Sequence, residues 1–157
     1  MIPRKDLLIL SALRNNSRET LTRISKRTSV PISTIFDKLK QYEGNVIKQH
    51  TTFINFSELG FNTRANVMIK VDRDAREAIK EYLTKHQNVN SLFRINNGFD
   101  YMFEGIFMNL KEAEDFLEKL DQRFKVENKE VYYIIDDIKK ESFMADPNLI
   151  DLIMHAN

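Results

Sequence analysis

Ser33, Thr34, Lys38, Lys40 and Gln41 fall close together in SVPISTIFDKLKQYEG. The hydroxyls and the amide are of a size to reach base edges in a major groove, and the lysines could meet phosphates. Arg23 upstream and Lys48 and His50 downstream add groups where a nucleic-acid backbone would run. Chemistry of this kind is recognition: base-edge hydrogen bonds carry sequence information, and cations supply salt-sensitive affinity. Asp37 opposes it from the middle of the cluster, because a carboxylate near phosphates is repelled unless it accepts from a cytosine amino group.

Helical spacing has to present these groups. Ile35, Leu39 and Tyr42 recur at i, i+4, i+7 and must face a core, which turns Ser33, Asp37 and Lys40 outward, flanked by Thr34 and Gln41. The helix is expected from about Pro31 or Ile32 to Glu43, with the proline in its first turn and Gly44 ending it. Upstream, Leu7, Leu10 and Leu13 mark a first helix that stops at Asn15, Asn16 and Ser17. Thr20 is placed to N-cap a second helix carrying Leu21 and Ile24 inward. Counting from Leu21, Ser25 stands fifth, where two helices touch; Ser29 stands ninth, in the turn; and Ile35 stands fifteenth, locking the third helix down. Three short helices with a tight second turn make a helix-turn-helix unit. NVIKQHTTFINF then reads as a strand or wing carrying Lys48 and His50.

The formal net charge of +1 conceals a division. Residues 1 to 50 hold ten lysines and arginines against four acids, a net of +6, and the other 107 hold fourteen against nineteen, a net of −5. Ten of the eleven phenylalanines also lie after residue 50. A basic head on an acidic, aromatic-rich body points to a polyanion at one end and to packing or ligand work at the other. Cysteine is absent, which removes disulfide and thiolate chemistry. No apolar run approaches the roughly 18 residues that span a bilayer. The N-terminus lacks a small-residue cleavage site. A cytoplasmic protein with no membrane partner is expected.

Past residue 60 the pattern changes. ANVMIKVD alternates as a half-buried strand, and RDAREAIKEYLTKHQ carries Ala75, Ala78, Ile79 and Tyr82 on one helical stripe. VNSLFRIN and DYMFEGIFM are two strands joined across Asn96 to Phe99. LKEAEDFLEKLDQRF is a second helix and KEVYYIIDDI a fourth strand. The order βαββαβ is the ferredoxin-like split plait, so the class is α+β. Its helices cover one sheet face. The other should carry Met102, Ile106 and Met108 with Tyr132 and Ile134, and an apolar second face implies a second copy packed against it. SFMADPNLIDLIMHAN extends beyond, with a short helix expected after Pro147 that covers a sheet edge or joins subunits. The boundaries read as a winged helix-turn-helix over 1–52, a linker over 53–63, the plait over 64–141 and an extension over 142–157.

The sequence resembles the Lrp/AsnC regulator family from about Asp6 to Lys140. The matching stretches are Asp6-x-x-Ile9-Leu10-x-x-Leu13-x-x-Asn16-Ser17-Arg18, Ser33-Thr34-Ile35 through Glu43-x-x-Val46-Ile47-Lys48, Leu59-Gly60 and Gly98-Phe99-Asp100-Tyr101. The resemblance implies a transcription regulator that binds double-stranded DNA. Its plait, a RAM-type domain, would assemble as a homodimer, often building octamers, and sense an amino acid or other small molecule between dimers. By the same resemblance Asn97, Gly98, Phe99 and Asp100 would lie at the effector pocket, although Gly98 could equally serve a positive-φ turn that Asp100 caps. The chain departs from the family at Pro31, where a hydroxyl N-cap is usual, and at Asp37, where a basic residue is.

Relatives of the same build, the sirohaem decarboxylases, are enzymes and supply the competing class. His50, His86 and His155 lack any spacing that suggests a metal or base pair, and no phosphate loop or catalytic triad order stands out. No catalytic residue, cofactor or metal is therefore expected. A DNA-binding protein whose body only assembles, with no effector, is the third reading.

Overall fold

Apolar spacing and turn chemistry account for the first three helices. In the computed structural model, which describes residues 2–154, these are α1 (Arg4–Asn15), α2 (Leu21–Thr28) and α3 (Ile32–Tyr42). The Thr20 hydroxyl accepts from the Arg23 amide at 3.4 Å and so caps α2. Ser29, at φ 55°, turns the chain through the left-handed region between α2 and α3. Pro31 stands at the N-cap of α3, one residue before the first turn, and its carbonyl accepts from the Ile35 amide at 3.0 Å. Ile9, Ala12, Ile24, Val30 and Ile35 form the core here, with Leu13, Leu21 and Leu39 packed on it.

The chain divides into two compact units, Met1–Phe53 with Ile138–Asn157, and Ile54–Asp137. The tail therefore belongs with the first three helices. A 3₁₀ turn at Pro147–Leu149 and α6 (Ile150–Met154) pack against α1. Arg4 holds Asp151 with both Nε and Nη2, at 2.5 and 2.8 Å. Arg14 donates to the Glu141 carboxylate and the Phe143 carbonyl, each at 2.6 Å. The tail thus runs antiparallel to α1, and Ile150 is fully buried. Within the chain the segment covers α1 and not the sheet edge that was one of its two expected places. The core face of α1 is Ile9 and Ala12 with Leu13, not the expected line of Leu7, Leu10 and Leu13, and Leu7 and Leu10 are only half-buried. Helix α1 is covered on two sides, and its second stripe runs through Arg4, Leu7, Ser11 and Arg14 at helical spacing.

The expected wing does not form among the described residues. Gly44, at φ 77°, starts a turn closed by bonds from Gly44 N to Ile47 O and from Ile47 N to Tyr42 O, both 2.9 Å. Residues 48–55 are neither strand nor helix. A strand needs a neighbour for its amides and carbonyls, and this unit contains no other strand among the described residues.

The second unit is the plait: β1 (Thr63–Val71), α4 (Arg76–Lys85), β2 (Val89–Arg94), β3 (Tyr101–Phe107), α5 (Leu110–Phe124) and β4 (Val126–Tyr133). The four strands are antiparallel in the order β2-β3-β1-β4. Val67, Ile69 and Val71 of β1 and Phe103 and Phe107 of β3 meet Ile79 and Leu83 of α4 and Ala113, Phe116, Leu117 and Leu120 of α5 in one core. Strand β4 starts earlier than its apolar run suggests. Lys125 adopts φ 48° directly after α5, so the chain reverses at once and pairs from Val126, leaving Ile135 and Ile138 outside the strand at 99% and 95% exposure. The open sheet face is mixed. Met68, Met102 and Phe93 adjoin one another across three strands, but Arg64 holds Asp137 at 2.6 Å and its Nε lies 2.8 Å from Glu104 toward the other end.

Candidate functional site

Two places gather the residues that the sequence singles out, one in each unit. On α3, Ser33, Thr34, Asp37, Lys40 and Gln41 are all exposed, as are Arg23 on α2 and Lys48 and His50 after α3. Ile35 is fully buried and Tyr42 is 7% exposed, so the helix is held by the face opposite to these groups. The outward face is therefore polar, cationic at Lys40 and anionic at Asp37.

Lys38 does not join it. Its ammonium lies 3.0 Å from the Asp6 carboxylate, which also accepts from the Tyr42 hydroxyl at 2.5 Å. Asp6 belongs to the first turn of α1 and is 5% exposed, so two groups of α3 satisfy one buried carboxylate. Burial by itself pushes the Asp6 pKa up, but the hydrogen bonds from Tyr42 and Lys38 and the lysine's charge outweigh it, and the net shift is downward. The hydrogen bond to Asp6, with burial, pushes the Tyr42 phenol up to about 12. This clamp sets α3 against α1.

Sequence spacing leaves out another feature of α3. Ile32 and Phe36 are 46% and 48% exposed, and the Lys40 ammonium sits 4.5 Å over the Phe36 ring. The signal was present: Phe36 lies four residues before Lys40 and next to Ile35, so a helix that buries Ile35, Leu39 and Tyr42 turns Phe36 toward the polar stripe.

In the plait, Asn97 and Gly98 adopt φ 63° and 90° at the tip between β2 and β3, a pairing of positive angles that suits an Asn-Gly hairpin turn. Asn97 and Gly98 are exposed and Phe99 is half-buried. Asp100 is anchored: its carboxylate accepts from the Val71 amide at 3.0 Å and meets Arg76 at 2.8 Å, and its own amide donates to the Ile69 carbonyl at 2.9 Å. It caps the end of β1. Asp100 also lines a cleft of about 300 Å³ with Arg76, Glu77, Lys80, Thr84, Leu92, Arg94 and Tyr101. Asn97, Gly98 and Phe99 do not line this cleft. The cleft gathers three cations and two acids beside the apolar surface of Leu92 and Tyr101, with Arg76 paired to Asp100 at 2.8 Å and Lys80 to Glu77 at 2.6 Å. The buried Arg76 Nε has no hydrogen-bond partner there.

The histidines are dispersed. His50 is exposed, and His155 lies outside the described residues. His86 packs its ring 4.6 Å from Phe116 and 5.2 Å from Tyr82, and its Nδ1 accepts from the Asn88 amide at 3.2 Å. Burial, with the nearby Lys119 charge, lowers its pKa. Among the described residues no group of histidine and carboxylate side chains is set to hold a metal, and no helix is long and apolar enough to cross a membrane.

Comparison with known proteins agrees with this build. The chain is 24% identical over 143 residues to an uncharacterized HTH-type transcriptional regulator of Pyrococcus horikoshii, covering 90% of this chain and 96% of that one. It is 28% identical over 114 residues to the HTH-type transcriptional regulator FL11 of Pyrococcus furiosus, covering 72% and 76%. Among solved structures, a transcriptional regulator of Neisseria meningitidis in complex with L-Met superposes with a TM-score of 0.81 at 22% identity, covering 89% of this chain and 94% of that one. B. subtilis LrpC superposes at 0.80 with 22% identity, covering 89% and 99%. The family model described as the Lrp/AsnC ligand binding domain matches residues 64–143, more than half of the sequence, and the chain therefore belongs to the Lrp/AsnC family.

Proposed function

We propose that this protein is a sequence-specific DNA-binding transcriptional regulator that assembles through its plait and responds to a small molecule. The observation that carries the reading is the outward face of α3, where Ser33, Thr34, Lys40 and Gln41 stand exposed on a helix locked from behind. Relatives named as HTH-type transcriptional regulators support it. Arg23, Lys48 and His50 serve the phosphates, and Lys38 acts from behind as a positioning residue through Asp6. Two such heads on a homodimer would place their α3 helices in successive major grooves about one turn apart. The apolar patch at Met68, Met102 and Phe93 supports self-association through the open sheet face, as a dimer or an octamer built from dimers.

The effector would be an amino acid or a similarly small zwitterion. The cleft beside Asp100 offers Arg94 to a carboxylate, while Arg76 and Lys80 are paired with Asp100 and Glu77 at 2.8 and 2.6 Å, pairs that a zwitterion would exchange for its own two charges, and the Neisseria regulator of the same fold holds L-Met. Asn97, Gly98 and Phe99 shape the neighbouring hairpin. A ligand preferring one assembly state would shift the spacing of the heads.

A mobility-shift assay on the DNA upstream of the protein's own gene, with and without a panel of amino acids, tests both parts. A retarded band weakened by Lys40→Ala and altered by one amino acid is expected. Failure to retard any duplex in dilute buffer rejects the DNA reading. Retardation indifferent to every amino acid, with no rise in melting temperature on adding them, leaves a regulator without this class of effector.

A further inference from the structure

Phe36 is turned away from the core in a unit that has a use for apolar groups. It is the one phenylalanine in the first fifty residues. Ile35 beside it is fully buried, yet Phe36 is 48% exposed, and Ile32 one turn earlier is 46% exposed. At about 100° per residue, the buried direction set by Ile35, Leu39 and Tyr42 puts Ser33, Lys40 and Asp37 opposite, with Phe36 adjoining Lys40 on that same side. The Lys40 ammonium 4.5 Å above the ring ties the two together, so a cation and an apolar ring are presented as one surface. Asp37 stands about 100° further around the helix, past Lys40 and Ser33, and is exposed. The surrounding head carries a net charge of +6, which favours a polyanion against this face over an acidic-residue-poor protein groove.

Each of these two side chains matches one feature of the major-groove edge. The only apolar group there is the thymine 5-methyl, which a ring can bury. The cytosine 4-amino group is the donor that favours a carboxylate, whose alternatives are acceptors that repel it. Resting on the reading of α3 as the DNA-contacting helix, we propose that Phe36 and Asp37 are specificity-determining residues that read a thymine methyl and a cytosine amino group on neighbouring base pairs of each half-site. Lys40, held over the ring, reaches the phosphate or guanine beside them. Ser33 and Gln41 then contribute adaptable hydrogen bonds on either side.

The test uses the full chain and a duplex selected by it from a randomised library. Each thymine of that duplex is replaced in turn by uracil, which lacks only the methyl. Burial of one methyl corresponds to roughly a fourfold change in affinity, so one position per half-site should weaken binding about three- to fivefold on replacement. Phe36→Ala should bind the thymine and uracil duplexes equally, while Phe36→Leu keeps part of the difference. Asp37→Asn, reselected on the same library, should exchange a cytosine for an adenine, the base an amide side chain pairs with. Asp37 is exposed and Phe36 about half so, so the melting curve should be unchanged in Asp37→Asn and lowered by no more than a few degrees in the two Phe36 variants, which stay folded at the binding temperature. Binding of the selected duplex with no uracil-sensitive position, or uracil sensitivity that survives in Phe36→Ala, overturns the Phe36 assignment. Reselection of the same base by Asp37→Asn overturns that of Asp37. If no duplex is enriched at all, the DNA reading of α3 falls, and this proposal with it.

Discussion

The Tyr42 hydroxyl donates to the Asp6 carboxylate at 2.5 Å, joining the last turn of α3 to the first turn of α1. Lys38 completes the arrangement 3.0 Å from the same carboxylate oxygen. Removing the Tyr42 hydroxyl leaves a nearly buried carboxylate short of one partner, so Tyr42→Phe should cost about 1–2 kcal/mol in urea unfolding of the first unit. The pH dependence follows from the shifts. Tyr42 titrates from an ordinary 10.0 to about 12 in the folded chain, so its contribution is complete below pH 10 and is lost as pH rises toward 12. Asp6 is shifted below its ordinary 3.8, so its contribution is present above that value and is lost as pH falls through the lower, folded one. The stability difference between wild type and Tyr42→Phe should therefore narrow at both extremes, and a constant difference from pH 3 to pH 12 would contradict the clamp.

Lys38 and Lys40 should separate in a salt titration. Lys40→Ala removes an outward cation and should reduce the slope of log affinity against log salt by about 1. Lys38→Met removes a charge already engaged with Asp6, so unfolding should shift while the salt slope stays near that of wild type. Equal loss of slope in both variants would return Lys38 to the phosphate-contacting set.

The hairpin between β2 and β3 depends on backbone angles more than on space. Nothing lies within 4 Å of a Cβ built on Gly98, but its φ of 90° penalises any side chain, and Gly98→Val should lower stability by about 1–3 kcal/mol. Asn97→Gly, at φ 63°, should be nearly neutral. Asp100→Ala loses the bonds to the Val71 amide and Arg76 together, and should destabilise the plait more than Asn97→Gly. Thermal unfolding of the three variants ranks them.

The tail is held by burial and only trimmed by its ion pairs. The Arg4–Asp151 pair is about half exposed on both sides, so Arg4→Ala should cost no more than about 1 kcal/mol. Ile150 is fully buried, so Ile150→Ala should cost about 2–4 kcal/mol. Chemical denaturation of both should show the apolar substitution dominating, and the reverse order would mean that the ion pairs carry the attachment.

Periodicity was enough for much of this molecule. Ile35, Leu39 and Tyr42 oriented α3 without reference to anything distant, and the βαββαβ order followed from the change between two-residue and helical repeats. The charge division fell near the first boundary, at Phe53, but could not assign the tail from Ile138 onward, which joins the first unit. Local signals misplaced what depends on an unseen neighbour. Residues 48–55 have β-branched and aromatic composition but no strand beside them, and Ile135 and Ile138 continue an apolar run after β4 has ended.

What the amino-acid order determined alone was the class of fold, the family and the inward face of α3; on α4 the expected stripe included Ala78, which is exposed, and left out Leu83, which is fully buried. Only the tertiary structure decided that Lys38 belongs to Asp6 rather than to the outer surface, that Arg76 and Asp100 meet beside one cleft, and that the tail covers a second stripe of α1. Each of these joins groups far apart in the chain. Helical and strand repeats are set within a few residues, whereas the partner of a charge or an apolar stripe is fixed by chain closure over tens of residues, which no local spacing encodes.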